Sequence, residues 1–85
     1  MDPARAPRRY FARVRPGPGE GAAWHDLGAA IEDALKRARA LCARTRPGGG
    51  RVFLYGSPPR ADGLPGGDYL AGWRRDDEGA LFVIP

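Results

Sequence analysis

The chain has 85 residues, of which 13 are Gly and 9 are Pro, and it carries a formal net charge of +4. That length holds one small domain at most and excludes a multidomain enzyme. Apolar residues make up 42%, yet 14 of them are Ala and only 15 are Leu, Ile, Val or Phe. A share that low borders on disorder-prone composition, but the large apolar side chains are clustered, which points to a short folded body with loose ends.

Residues 1–9 hold three Arg, one Asp and two Pro, where a secretory signal needs an apolar run of ~7–15 residues. No stretch approaches the roughly 20 apolar residues of a membrane span. Cys42, the single cysteine, can form no internal disulfide and has no second thiol for a metal site. These features predict a cytoplasmic protein with no membrane partner. Residues 1–60 carry a net +7 and residues 61–85 a net −3. Such asymmetry draws anionic partners to the basic end, unless the two ends neutralise each other.

In chain order, residues 1–9 read as a flexible basic arm, and residues 10–85 as the single domain. Tyr10–Arg15 alternates as a strand, with Tyr10, Ala12 and Val14 on one face and Phe11, Arg13 and Arg15 on the other. The Pro/Gly run 16–21 stops it. Trp24 to Arg46 reads as one amphipathic helix, because Trp24, Leu27, Ile31, Leu35, Ala38, Leu41 and Cys42 recur at steps of three and four. Asp26 is its expected N-cap, and Pro47 with three following glycines ends it. Arg51–Tyr55 reads as a buried strand, residues 56–68 as a mobile Gly/Pro-rich loop, and Tyr69–Arg75 with Ala80–Ile84 as a hairpin turning at residues 76–79. The order is β-α-β-β-β. It predicts a two-layer α+β domain, one helix on a mixed sheet of about four strands, with the first two strands parallel through a right-handed crossover.

One helix covers one face of a sheet. Val52 and Leu54 are nevertheless backed by Phe53 and Tyr55, and Leu81 and Val83 by Phe82 and Ile84. A second apolar face on a small protein is either a small wet patch or is covered by a partner. Phe11, Arg13, Arg15, Arg51, Phe53, Tyr55 and Phe82 are therefore the expected partner-binding residues. Aromatic groups would anchor the interface and Arg would steer toward an acidic surface. The leading expectation is a non-enzymatic binding or regulatory protein that docks on another protein or on a second copy of itself, of the size of phage or mobile-element inhibitors and small complex subunits. The alternative is a single-stranded nucleic-acid binder using the same face, since bases stack on rings and guanidinium groups neutralise phosphates. Arg8, Arg9, Arg37, Arg44 and Arg46 would then add phosphate contacts.

Catalytic signals are weak. Gly17, Gly19 and Gly21 lie between a strand and a helix, but Pro16 and Pro18 remove backbone donors and no nucleotide fingerprint follows. His25 has no nucleophile fixed beside it, Ser57 does not sit in a nucleophile elbow, and Asp76, Asp77 and Glu78 suit a solvated turn better than a metal site. No catalytic residue, cofactor or metal is assigned.

Overall fold

The computed structural model describes residues 8–85. The expected N-terminal arm, residues 1–9, thus falls outside the described residues except for Arg8 and Arg9. The chain folds as β1 (Tyr10–Arg15), β2 (Ala23–Gly28), α1 (Ile31–Ala43), β3 (Arg51–Tyr55), β4 (Tyr69–Arg75) and β5 (Leu81–Ile84). One helix packs on one five-stranded sheet of order β2-β1-β3-β4-β5, with every neighbouring pair antiparallel. The two-layer α+β architecture expected from the sequence is present, with one strand more and no parallel neighbours.

The extra strand comes from residues assigned above to the helix. Trp24 to Gly28 pairs with β1 as an antiparallel edge strand. Its side chains alternate as well as they step: Leu27 is buried on the helix side, while Trp24 lies on the opposite face across from Arg13. Gly28 then takes a φ of +84°, a conformation open to glycine and closed to a continuing strand or helix. Asp26 accordingly does not cap the helix. Its carboxylate accepts the Gly28 N–H at 2.9 Å, and α1 begins after Ala30 with no side-chain cap. Because β1 lies between β2 and β3, the crossover helix joins β2 to β3 over the top of β1. The parallel relation expected for β1 and β3 therefore holds for β2 and β3, which are not neighbours.

The core lies between α1 and the sheet. Ala12, Ala34, Ala38, Cys42, Val52 and Leu54 are fully buried. Ala34, Ala38 and Cys42 are spaced by four residues, so small side chains face the strands along one helical row. The helix can then lie close to them, with Leu35 and Leu41 packed at its flanks. Burial pushes the Cys42 thiol above its ordinary pKa, so it stays protonated near neutrality. Trp73, 6% exposed, fills the helix side of β4. The β4–β5 hairpin turns at residues 76–79 as expected, with Asp76 Oδ1 accepting the N–H groups of Glu78 and Ala80. Among the described residues no helix is long and apolar enough to cross a membrane.

Candidate interface on the open sheet face

The face of the sheet turned away from α1 has no second layer among the described residues, and strand register sorts its side chains into three rows. The first row runs Arg15, Arg51, Arg74 and Phe82, on β1, β3, β4 and β5. The second runs Trp24, Arg13, Phe53, Gly72 and Ile84, across all five strands. The third runs Asp26, Phe11, Tyr55 and Tyr69. Successive rows are about 7 Å apart along the strands. All seven residues expected to bind a partner (Phe11, Arg13, Arg15, Arg51, Phe53, Tyr55 and Phe82) thus lie on this one face.

The rings form a connected group. Tyr55 sits 5.4 Å from Trp24 and 5.7 Å from Tyr69, and Tyr69 lies 6.2 Å from Phe53, centroid to centroid. Their tilted and edge-on geometries suit the ring quadrupoles. Gly72 makes room for this arrangement, since a Cβ there would lie 2.6 Å from the Tyr69 hydroxyl and 3.1 Å from Phe53 Cδ1. Burial of its ring pushes the Tyr55 hydroxyl above the ordinary tyrosine value, and the nearby Arg13 guanidinium partly offsets this.

The arginines are arranged differently. Arg15 stands directly opposite Arg51, and Arg51 directly opposite Arg74. None of Arg13, Arg15, Arg51 and Arg74 takes part in an ion pair among the described residues. Arg13, Arg15 and Arg51 converge with Phe53 on a recess of about 90 Å³. The Arg13 Nε is buried there without a hydrogen-bond partner. Arg74 stacks on Phe82, its Cζ 4.8 Å from the ring centroid, which leaves the edge of its guanidinium to solvent. Asp76 and Asp77 share a second recess with Arg51 and Arg74, but Asp76 is engaged in capping the turn.

Of the five arginines expected to add phosphate contacts, Arg9 borders this face through Asp26 of the third row, and none has a place in the rows themselves. Arg8 donates to the Gly56 carbonyl and pairs with Asp68, which ties the basic beginning of the chain to its acidic end. Arg9 is chelated by Asp26 through contacts of 3.0–3.2 Å. The Gly28 N–H and then the Arg9 guanidinium hold the Asp26 carboxyl below its ordinary pKa. Arg46 pairs with Glu20 at 3.2 Å. Arg37 and Arg44 line a groove of about 360 Å³ between α1 and β2, together with His25, Leu27 and Leu41.

The loop at residues 56–68, expected to be mobile, is held by its own hydrogen bonds. Arg60 N–H donates to the Leu64 carbonyl, Gly63 N–H to Arg60, and Ser57 Oγ to Gly67. It reaches across the sheet end to the far edge, where the Trp24 indole N–H donates to the Gly63 carbonyl at 2.8 Å. Trp24, Tyr69 and Arg74 are members of the face that sequence reasoning left out of it. Alternation with Trp73 carried the signal for Arg74. No group of His, Cys, Asp and Glu able to hold a metal occurs among the described residues. No protein-family model matches the chain, and no match was found among curated proteins or among solved structures.

Proposed function

We propose that this chain is a small non-enzymatic binding module that docks on an anionic partner through the open face of its sheet. The observation that carries this reading is the row Arg15, Arg51 and Arg74, three guanidinium groups on neighbouring strands with no ion pair among the described residues. Like charges directly opposite one another on a sheet are destabilising. A row of them in which no described carboxylate comes within ion-pair distance makes physical sense when the compensating charge arrives from outside. The surrounding rings supply the apolar area that a docking surface needs.

The reading is tested by the salt at which the protein leaves a heparin column, a generic polyanion. Arg15→Gln and Arg51→Gln are expected to elute at clearly lower salt than the parent. Arg39→Gln and Arg44→Gln remove the same charge from the helix side and are expected to move elution much less. Equal shifts for the two sets would mean that net charge alone is being read, and the assignment to the open face would fall.

A further inference from the structure

Resting on that reading, we infer that the anionic partner is a single-stranded nucleic acid, laid across the β-strands with phosphates along the arginine row and bases over the neighbouring rings. Three features of the face argue for this occupant. The first is the adjacency of unlike rows. Guanidinium forks that match phosphate oxygens stand about 7 Å, two residues along the strand, from Phe53, and Phe82 lies within the arginine row itself. A single strand offers the same alternation, a charged backbone with flat π faces beside it, and it is flexible enough to present both at once.

The second feature is width. Five strands at about 4.8 Å spacing span roughly 19 Å, too broad for a major groove about 12 Å wide. A duplex would therefore meet only the arginines and leave the rings idle. The third is ring accessibility. Tyr69 and Phe82 are 47% and 44% exposed, so a stacked base would displace no core side chain, only the Arg74 guanidinium where it lies over Phe82. An acidic protein surface would satisfy the arginine row, yet it has no planar groups at matching intervals for the rings.

RNA and DNA share this chemistry, and the experiment separates them. Fluorescence anisotropy is followed for labelled oligothymidylate and oligouridylate of about 12 nucleotides, a length within the usual range of such sites, and for a duplex of the same length. The expected result is binding of one or both single strands. With three phosphates neutralised, affinity should fall about 20-fold between about 50 and 200 mM salt. Arg51→Gln should flatten that dependence, removing about 0.7 from its logarithmic slope. Tyr69→Ala or Phe82→Ala should weaken binding about tenfold while leaving the slope unchanged, because a stacking contact carries no counterion. A second readout needs no variant: Trp24 lies on the open face and Trp73 on the helix side, so quenching by the oligonucleotide should come from the Trp24 indole and vanish in Trp24→Phe.

Duplex binding as tight as single-strand binding, with the same slope, would overturn the inference. So would unchanged affinity in both ring variants once circular dichroism shows them folded. If neither single strand binds at about 50 mM salt while heparin elution still depends on Arg51, the nucleic-acid inference falls and docking on an acidic protein stands. If heparin elution is also indifferent to Arg51, both fall together.

Discussion

Arg51 has an arginine opposite it on both neighbouring strands, Arg15 on β1 and Arg74 on β4. In the free protein this is a local cost. Arg51→Gln keeps the β-strand position and the long side chain while removing the central charge, and it is expected to stabilise the fold by up to about 1 kcal/mol. Urea unfolding at low salt measures the gain, which should shrink as salt screens the exposed charges. A residue whose removal strengthens the fold and weakens binding marks a position kept for its partner. At this scale much was legible in the sequence. The alternation of Phe11, Arg13 and Arg15, and of Arg51, Phe53 and Tyr55, assigns each side chain to its face without structural help. Tyr69 was not legible, because the register slips between Leu54 and Tyr55, and a bulge reverses the parity on which such assignments rest.

Among the elements, β1, β3 and β4 have the limits expected from the sequence, and the turn at residues 76–79 follows from its Asp and Gly. β2 was hidden by an accident of spacing. Trp24, Leu27 and Ile31 step as a helix does, but Trp24 and Leu27 also fall on opposite faces of a strand, and the free edge of β1 decides between them by offering backbone hydrogen bonds. Gly50, just before β3, is where α1 and the sheet are locked together. Its N–H donates to the Arg46 carbonyl at 3.0 Å, its carbonyl accepts from Arg75 at 2.9 Å, and a Cβ there would overlap the buried Thr45 side chain. Gly50→Ala is therefore expected to destabilise the domain by about 1–3 kcal/mol through overpacking. A lower thermal midpoint by circular dichroism is the measurement, and Gly63→Ala, in open space, should cost less despite its left-handed φ.

For the whole molecule, the strand order leaves β5 as an outer edge with apolar residues on both faces. Val83 is 69% exposed on the helix side. Natural sheets usually protect such an edge with charge, proline or a bulge, and Leu81-Phe82-Val83-Ile84 has no charged residue. Self-association at high concentration is expected to proceed through this edge and to persist in high salt. Val83→Lys should suppress it in sedimentation velocity without lowering the thermal midpoint, since the substituted side chain is already in water.

The order β2-β1-β3-β4-β5 places the seam between the amino-terminal hairpin and the carboxy-terminal meander at the β1–β3 pairing, and the arginine row straddles that seam. Arg15 comes from one half of the chain, Arg51 and Arg74 from the other. Neither half alone can assemble the charged row, so the proposed binding through that row requires the complete fold. The energetic corollary is mass action: a ligand held across the seam clamps the two halves to each other and raises the stability of the entire domain, by about 2.7 kcal/mol at a hundred times its dissociation constant.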